Sequence, residues 1–285
     1  MKRIRLLALL LLILLLFSSC KQNPDALLQI YVLDVGQGDC ILLRTEAGDI
    51  LVDTGTEASQ ELLCLRLEQL GVEELELLIL THPDEDHIGG ADGILRGFAV
   101  KEVWTNGAES EETCFTAFRE AAEEKDVTLT TVRAGTACTV GEVAFFVMAP
   151  WEGDVEGGNE GSIVFKLTCG EISAIFTGDA GIDTEENLLS QYGAAQLDCD
   201  IYKVGHHGSN TSSSKDFLAA MSPEYALISS GKGNPYGHPH GDILENLKYV
   251  GARILRVDLE GEILLETDGI KIWQNKERRT LWQIY

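Results

Sequence analysis

Residues 81–90 read Thr81-His82-Pro83-Asp84-Glu85-Asp86-His87-Ile88-Gly89-Gly90, and they directly follow the apolar run Leu75 to Leu80. That run has the length and composition of a buried strand, so the residues after it form the loop that ends the strand. A loop lacks the alternation that sends neighbouring strand side chains to opposite faces, so its imidazole and carboxylate groups can point at one place. The loop therefore predicts a metal site with the ligands His82, Asp84, Asp86 and His87.

The distribution of histidine supports this prediction. All 6 histidines occur in three short segments, namely His82 and His87, His206 and His207, and His238 and His240. Histidines that only fill a core would be scattered singly through the periodic segments, so this clustering favours a metal or catalytic site. Acidic residues that cap a helix beginning near Ala91 would explain the aspartates of the first segment, but not its histidines.

Composition limits the partners of the protein. The chain has 285 residues, of which 45% are hydrophobic, and its 46 acidic against 22 basic residues give a net charge of -24. Such a chain is too apolar to be a disordered acidic tail. Non-specific wrapping of DNA rests on many Lys and Arg side chains, so a nucleic-acid substrate would have to be held by local features.

One local feature is a strip near the C terminus. It consists of Lys271, Trp273, Lys276, Arg278, Arg279 and Trp282. The aromatic rings of this strip can stack bases while its basic groups meet phosphates. The alternative is a final strand with a solvated face, and the sequence favours this alternative slightly.

The N terminus has the features of an export signal. Three basic residues precede an unbroken apolar run from Leu6 to Phe17, whose 12 residues span about 18 Å as a helix. A bilayer core needs about 20 residues, so the run is too short for a membrane-spanning anchor and is typical of a secretory signal.

The apolar run ends in Phe17-Ser18-Ser19-Cys20, which is similar to a bacterial lipobox. We therefore expect a lipoprotein signal peptide over residues 1–19, acylation of Cys20, and a tether over residues 20–27. The mature protein would then be exported and anchored to the outer face of the cytoplasmic membrane. Ordinary signal cleavage beside an incidental cysteine is the alternative.

Cysteine usage leaves the redox state open. Beyond Cys20 the chain contains six cysteines, and none of them forms a CxxC pair. In an oxidising compartment Cys114 and Cys138 are a possible disulfide. Cys40 and Cys169 lie in apolar runs, where a buried free thiol is expected.

Short apolar runs of strand length recur along residues 28–285, and no long linker separates them. They alternate with helix-periodic segments, notably Ala58 to Leu70 and Glu111 to Glu124. This mixed order predicts one α+β domain in which two sheets are covered by helices. The predicted strands are Gln29 to Leu33, Ile41 to Leu43, Ile50 to Val52, Leu75 to Leu80, Val143 to Met148, Ser162 to Thr168, Ser173 to Phe176 and Ile201 to Val204, followed by a mixed series from Tyr225 to Thr267.

Two further polar features stand where elements begin or end. Asp179 follows the apolar run Ala174 to Phe176, and it can be either a metal ligand or the N-cap of the next segment. Gly208 to Ser214 carries many hydroxyl and amide groups at a predicted helix start. Such a start can hold a phosphate, or it can be a plain N-cap.

Six short motifs accompany the loop at His82. They are Leu33-Asp34-Val35-Gly36-Gln37-Gly38-Asp39, Val52-Asp53-Thr54-Gly55, Asn159-Glu160-Gly161-Ser162-Ile163-Val164, Phe176-Thr177-Gly178-Asp179, Lys203-Val204-Gly205-His206-His207-Gly208-Ser209 and Asn234-Pro235-Tyr236-Gly237-His238-Pro239. With these motifs, roughly residues 28 to 270 resemble the metallo-β-lactamase superfamily, and within it the nuclease-like domain of ComEC-type competence proteins. The resemblance implies a four-layer αββα sandwich with two divalent metal ions at its edge.

The resemblance also implies a set of metal ligands, which are His82, Asp84, Asp86, His87, Asp179 and His206. The first two would bind one ion and the next two the other, with Asp179 bridging both and His206 completing the second site. His207 is an alternative to His206, and Asn159 stands near the place of a further histidine in the superfamily. Because Asp84 replaces a histidine of the family loop, Mn²⁺ and Mg²⁺ should be accepted as well as Zn²⁺.

Roles around the metals are implied in the same way. Asp53 would orient a metal-binding ring, and Asp34 and Asp39 would form turns beside it. Asp86 would accept a proton from the attacking water and His238 would act on the substrate side, whereas His240 would be structural. The expected contacts with phosphate or other parts of the substrate are Ser162, Ser209, Asn210 and Tyr236.

These features predict a metal-dependent phosphodiesterase or nuclease that acts on extracellular DNA. Two alternatives are a hydrolase of a small phosphodiester or an envelope ester, and a metal-binding module without catalytic activity. Hydrolysis of β-lactams is not expected, because the resemblance is to the nuclease-like branch of the superfamily.

Overall fold

A computed structural model describes residues 26–153 and 158–275. The predicted signal peptide, Cys20 and most of the tether lie outside the described residues, and so do Lys276, Arg278, Arg279 and Trp282. Within the two described ranges, no helix combines the length and the apolar character that a membrane span requires.

The described part of the chain forms two mixed β-sheets. Their strands are β1 (Leu28–Val32), β2 (Ile41–Thr45), β3 (Gly48–Val52), β4 (Glu74–Leu80), β5 (Ala99–Val100), β6 (Glu102–Thr105), β7 (Thr128–Thr131), β8 (Ala137–Val140), β9 (Val143–Ala149), β10 (Val164–Cys169), β11 (Ile172–Phe176), β12 (Ile201–Lys203), β13 (Tyr225–Ile228), β14 (Arg253–Arg256), β15 (Ile263–Thr267) and β16 (Ile272–Asn275). The first sheet has the order β16-β15-β1-β2-β3-β4-β6-β7, with β5 paired to β4. The second has the order β14-β13-β12-β11-β10-β9-β8.

Helices cover the outer face of each sheet. They are α1 (Gln60–Leu70), α2 (Glu85–Ile88), α3 (Ala91–Gly97), α4 (Thr113–Glu124), α5 (Ile182–Gln191), α6 (Ala194–Leu197), α7 (Lys215–Met221), α8 (Gly241–Tyr249) and α9 (Val257–Glu260). Leu67 of α1 and Phe118 of α4 pack on the first sheet, and Phe217 of α7 and Ile243 of α8 pack on the second. In α4 the buried residues recur at helical spacing, so one stripe of the helix faces the sheet.

The two sheets pack face to face through a third apolar layer. Ile30, Val52 and Ile79 of the first sheet belong to the same buried cluster as Phe165 and Phe176 of the second. The rings of these two phenylalanines stack with centroids 4.8 Å apart. Helix, sheet, sheet and helix therefore follow one another, and the predicted four-layer αββα sandwich is confirmed.

The predicted strands and helices agree with the structure to within a few residues, with some exceptions. The strand expected over Ser162 to Thr168 begins at Val164, because Asn159–Gly161 forms a 3₁₀ turn before it. Strands β6, β7 and β8 were not predicted from the sequence. Strands β7 and β8 lie at sheet edges and their residues stay half-buried or exposed, so the sequence carries no long apolar run there. Of the strip near the C terminus, Trp273 lies in the final strand β16 and Lys271 directly precedes this strand, whereas the other four residues lie outside the described ranges.

The proposed disulfide is wrong. All six cysteines within the described ranges are free thiols. Cys114 lies on α4, outside the first sheet, whereas Cys138 lies on β8 at the edge of the second. The expectation of buried free thiols at Cys40 and Cys169 is confirmed, because both are fully buried in apolar clusters.

Strand direction determines where the polar loops gather. In the first sheet β3 and β4 are parallel, and β1 points the same way because β2 is antiparallel to both β1 and β3. In the second sheet β11, β12 and β13 are parallel. The loops that follow these six strands meet at one edge of the sandwich, where residues from both sheets come into contact.

A buried ion pair joins helix α1 to the first sheet. The guanidinium of Arg66 donates to both carboxylate oxygens of Glu262 at 2.8 and 2.7 Å, and the two side chains are only 5% and 6% exposed. We expect Arg66→Ala to lower the free energy of unfolding by about 3–5 kcal/mol, because it leaves the Glu262 carboxylate buried without its cation. Urea denaturation of the described domain measures this change.

The matched control is Lys101→Ala. Lys101 pairs with Glu74 and Glu76 on the exposed surface, where ion pairs contribute little. This variant should unfold at nearly the same urea concentration as the wild type. An equal loss of unfolding free energy in the two variants would contradict the importance assigned to the ion pair of Arg66 and Glu262.

Candidate metal centre

The loop at residues 81–90 is held at the end of β4 by one buried carboxylate. Asp53 follows β3 in a left-handed conformation with φ of 56°. Its side chain accepts hydrogen bonds from the backbone N–H and the hydroxyl of Thr81, both at 2.8 Å, and from Nδ1 of His87 at 2.8 Å. Because a carboxylate only accepts, Nδ1 of His87 carries the proton and Nε2 is left free. This agrees with the orienting role expected for Asp53.

The free Nε2 of His87 points toward the second sheet. It lies 3.2 Å from Oδ1 of Asp179, which follows β11 and is 3% exposed. The backbone N–H of Asp179 donates to the hydroxyl of Ser162 at 3.1 Å, and the same hydroxyl lies 3.4 Å from Nδ1 of His82. Ser162 is fully buried beneath these residues. The expectation that Ser162 contacts substrate is therefore wrong, because its hydroxyl positions Asp179 and His82 instead.

His82 occupies the other side of His87. Their ring centroids are 4.1 Å apart, and Nδ1 of His82 lies 3.2 Å from the hydroxyl of Thr81. Nε2 of His82 is 3.5 Å from Oδ2 of Asp84, whose side chain is 45% exposed. Asp84 thus lies at the solvent-facing rim of the cluster, next to the histidine with which it was expected to bind one ion.

His207 projects into the cluster from the loop after β12. Nδ1 of His207 donates to the backbone carbonyl of Ser229 at 3.0 Å, so its Nε2 is the free nitrogen. That nitrogen lies 3.1 Å from Oδ2 of Asp86 and 3.5 Å from Oδ2 of Asp179. The ring is fully buried.

His206 also approaches Asp179, and its side chain is more exposed than that of His207. Its Nε2 is 3.6 Å from Oδ2 of Asp179, its Nδ1 is 2.9 Å from the hydroxyl of Thr211, and the amide nitrogen of Asn159 lies 3.3 Å from it. His207, rather than His206, therefore stands beside Asp86 and His87. This reverses the order of preference between the two histidines, and the left-handed backbone at both positions is what lets consecutive side chains reach the cluster from different directions.

The described residues form four overlapping groups of potential metal ligands, with the ligand atoms of each group within 4.8 Å of one another. Two of the groups are His82, His87 and Asp179, and Asp86, His87 and His207. The other two contain Asp39, either with Asp179 and His207 or with Asp53 and His87. Four buried atoms of the cluster have no hydrogen-bond partner of good geometry: Nε2 of His82, Nε2 of His87, Oδ1 of Asp179 and Oδ1 of Asp39. Native proteins rarely leave such groups unsatisfied, so these residues fit divalent metal ions.

When no metal is bound, the electrostatics of the cluster favour protonated imidazoles beside ionised carboxylates. Burial lowers the pKa of His207, but the carboxylates of Asp179 and Asp39 outweigh burial and raise the pKa to about 10. The pKa of His87 is raised well above its usual value because Asp179 and Asp53 outweigh its burial in the same way. Conversely, His207 and His87 hold the pKa of Asp179 well below its usual range despite burial.

A buried lysine, which the sequence analysis did not identify, supports His207. Nζ of Lys203, on β12, lies 2.7 Å from Oδ2 of Asp39, and both side chains are 1% exposed. Oδ1 of Asp39 in turn lies 3.2 Å from Nδ1 of His207. The signal for this pair was a single lysine inside the apolar run Ile201 to Val204, which requires a buried anionic partner.

The two other aspartates near the site have different roles. Asp39 is a fully buried ion-pair partner that supports His207, so describing it as a turn former was incomplete. Asp34 is a turn former as expected, since its carboxylate accepts from the backbone N–H of Gly36 at 3.2 Å.

The phosphate site expected at Gly208 to Ser214 is wrong. Helix α7 has only seven residues, and Ser214 is its N-cap, accepting from the N–H of Phe217 at 3.3 Å. The carboxylate of Glu185 already accepts from the backbone N–H groups of Ser213 and Ser214. An internal carboxylate therefore occupies the place that a phosphate would need, and the N-cap alternative is the correct one.

The polar residues before this cap face inward or bind neighbouring loops. Ser209 is 4% exposed, and its hydroxyl accepts from the hydroxyl of Thr211 at 3.0 Å. The backbone N–H of Asn210 donates to Nδ1 of His240 at 3.0 Å, which agrees with a structural role for His240.

His238 and Tyr236 lie on the solvent side of the cluster. The His238 ring is 6.2 Å from the His207 ring and 5.6 Å from the His206 ring. Burial, followed by the positive charges of His207 and His206, lowers the pKa of His238 to about 4. Tyr236 is 62% exposed and stacks on His238. These placements agree with the substrate-side positions expected for both residues.

Comparison with known proteins gives a consistent assignment. A family model described as the Metallo-beta-lactamase superfamily matches residues 33–232. Competence protein ComA of Neisseria gonorrhoeae is 33% identical over 279 residues, which cover 95% of this chain and 38% of that protein. ComE operon protein 3 of Bacillus subtilis (strain 168) is 31% identical over 253 residues, which cover 82% of this chain and 32% of that protein. The chain thus spans about a third of the length of these curated relatives.

Solved structures show the same fold. The metallo-beta-lactamase fold protein YhfI from Bacillus subtilis matches with a TM-score of 0.54 over 87% of this chain and 99% of its own. The two sequences are 11% identical, so this likeness concerns the fold alone.

Exchanging Asp53 for Asn tests how the His87 ring is oriented. The amide of Asp53→Asn would present a donor to Nδ1 of His87, which moves the ring proton to Nε2 and blocks the ligand atom. We expect metal affinity to fall about 10–100-fold. Competition with a chromophoric chelator measures the metal affinity of the variant and the wild type. Asp34→Asn is the matched control, because Asp34 only caps a turn, and an equal loss in both variants would contradict the proposed orientation.

Metal binding should release protons from the cluster. The neighbouring carboxylates raise the pKa of His207 to about 10 and the pKa of His87 well above its usual value, and a metal ligand must be deprotonated. Calorimetric titration of the chelator-treated protein with Mn²⁺ at pH 7.5, in two buffers of different ionisation enthalpy, measures this release. Apparent enthalpies that do not depend on the buffer would contradict it.

Proposed function

Because this chain belongs to the metallo-β-lactamase superfamily, we propose that it is a metal-dependent phosphodiesterase, and specifically a nuclease that acts on DNA. The observation that carries this proposal is the set of overlapping ligand groups, three of which share His87, with buried and unsatisfied ligand atoms. The competence proteins that match most of the chain support a nucleic-acid substrate over a small ester.

The residues fit two divalent ions. His82, Asp84 and Asp179 would hold one ion, and Asp86, His87 and His207 the other, with Asp179 between them. Asn159 and His206 lie beside Asp179 on the more exposed side. When bound, two such ions lower the pKa of a water toward neutrality and neutralise charge on phosphate oxygens.

The types of ligand atom in the cluster indicate which metals the site can bind. Five carboxylates, Asp84, Asp86, Asp179, Asp39 and Asp53, lie at or next to the cluster, against the three buried imidazoles of His82, His87 and His207. Hard carboxylate oxygens suit Mn²⁺ and Mg²⁺, whereas imidazoles suit Zn²⁺. We propose that the site accepts Mn²⁺ or Zn²⁺, and that Asp84 at the rim widens the choice.

The protein's own groups would move the protons. Asp86 presents one carboxylate oxygen to His207 and leaves its side chain partly exposed, so it can accept a proton from the attacking water. His238 lies over the cluster with Nδ1 buried and unpaired, and it can contact the departing oxygen of the substrate. Ser162, Asp53 and the Lys203–Asp39 pair keep the ligands in place.

The location of the reaction follows from the N terminus as a separate proposal. If Cys20 is acylated, the domain is tethered to the outer face of the cytoplasmic membrane and meets DNA outside the cell. The net charge of -24 opposes general adhesion to DNA, so binding would depend on the metal centre and the residues around it.

Activity should depend on the ligands from both sheets. We expect His82→Ala and Asp179→Ala each to lower phosphodiesterase activity by more than about 100-fold, the upper range for loss of an orienting partner alone. The assay uses a single-stranded oligodeoxynucleotide and bis(p-nitrophenyl) phosphate, with Mn²⁺ or Zn²⁺. Circular dichroism verifies that the variants are folded.

Glu85→Gln is the matched control for this experiment. Glu85 lies in the same loop, but its carboxylate accepts from the backbone N–H of Glu57, away from the ligand groups. Full activity in either ligand variant would exclude the proposed centre. If the protein hydrolyses the small substrate but does not cleave the oligonucleotide, its function is that of a phosphodiesterase for small molecules and not that of a nuclease.

A further inference from the structure

Two loops at the rim of the metal centre carry no acidic residue. Residues 201–215 and residues 226–241 contain no Asp or Glu, although 46 of the 285 residues of the chain are acidic. At the average for the chain, about five would be expected in these two segments. These two segments therefore add no carboxylate of their own that would repel a polyanion at the centre.

The second of these loops has a rigid frame. The side chain of Asn234 donates to the backbone carbonyls of Gly231 and His238 at 2.9 and 2.7 Å, and accepts from the N–H of His238 at 3.0 Å. The N–H of Gly231 donates to the side chain of Gln37 in the first sheet's loop at 3.1 Å. The side chains between Gly231 and His238 are thus presented on a braced turn, which lowers the entropy lost when a ligand binds.

Aromatic rings lead from this turn into the metal centre. Tyr236 stacks on His238 with centroids 5.6 Å apart and planes 23° apart, and His238 lies over His207 at 6.2 Å and 29°. Tyr236 is the outermost ring of the three and is 62% exposed. Lys232, on the same turn, is exposed and has no ion-pair partner within the described residues.

We propose that Tyr236 and Lys232 form a nucleotide subsite beside the metal centre. An unpaired nucleobase stacks on the exposed Tyr236 ring while the ammonium group of Lys232 pairs with a neighbouring phosphate. Because two ring spacings separate Tyr236 from His207, the stacked base belongs to a nucleotide that flanks the reacting phosphodiester. This inference rests on the proposed phosphodiesterase function and adds the group that the enzyme contacts next to the cleaved bond.

The test compares a fluorescein-labelled single-stranded oligodeoxynucleotide with an abasic strand of equal length. Fluorescence anisotropy of the full domain loaded with Mn²⁺, with phosphorothioate linkages in both strands so that cleavage does not interfere, measures both affinities. We expect the normal strand to bind about tenfold more tightly than the abasic strand, in line with the stacking of one base on one aromatic ring. Tyr236→Leu should abolish this ratio, and Tyr236→Phe should retain it.

Two controls make the outcome specific. Tyr249 is 81% exposed at the far end of α8, so Tyr249→Leu removes a similar surface ring without touching the turn and should keep the tenfold ratio. Lys232→Gln should weaken the binding of both strands and reduce its salt dependence, because a phosphate contact does not distinguish bases. A Tyr236→Leu variant that still prefers the normal strand would overturn the subsite.

Parallel cleavage assays with Mn²⁺ separate this inference from the proposed function. If the wild type cleaves the oligonucleotide while Tyr236→Leu keeps the wild-type ratio of KM values for normal and abasic strands, the subsite is wrong and the function stands. If the wild type cleaves no phosphodiester but binds bases through Tyr236, the function is wrong and the subsite stands.

Discussion

The buried carboxylate of Asp53 is the constraint on which the candidate centre depends. It fixes the start of the loop through Thr81 and selects the tautomer of His87 through Nδ1. A neutral acceptor at this place would leave the imidazole free to rotate. With the carboxylate there, Nε2 of His87 is held toward the facing sheet, and His87 belongs to three of the four potential ligand groups.

Residues of the second sheet and its loops position Asp179 and His207, as Asp53 positions His87 in the first sheet. Their positions are set by Ser162, by the carbonyl of Ser229 and by the ion pair of Lys203 with Asp39. A buried ion pair is weak support for overall stability, because both charges lose their hydration. Its use here is positional, since it holds a carboxylate within 3.2 Å of the His207 ring.

The acidic residues of this protein fall into two groups with different consequences. Part of the acid excess is concentrated as metal-ligand candidates between the sheets, where divalent ions would compensate it. Much of the rest lies on the surface and opposes general contact with DNA. The loops after β12 and β13 contain no acidic residue beside the centre, so they oppose a polyanion less than the acidic surface does.

The sequence by itself determined the fold class and most of the candidate centre. Apolar runs predicted the buried strands, and the clustering of histidine and aspartate at their ends predicted the candidate ligands, because both patterns are local in the chain. It also placed Asp53 correctly beside a ligand histidine. The short polar strands β7 and β8 were missed, since their pairing depends on neighbours that are distant in sequence.

Only the tertiary structure distinguished residues whose roles the local sequence pattern left equally plausible. His206 and His207 are adjacent in the chain, yet only His207 lies beside Asp86, because the left-handed backbone sends the two rings in different directions. The hydroxyl-rich helix start has the local pattern of a phosphate site, but Glu185, from another helix, already occupies its N–H groups. A lysine inside the apolar run at Lys203 requires a buried anionic partner, but only the fold shows that this partner is Asp39. In each case the deciding contact joins residues from separate segments of the chain, and a linear pattern contains no information about such contacts.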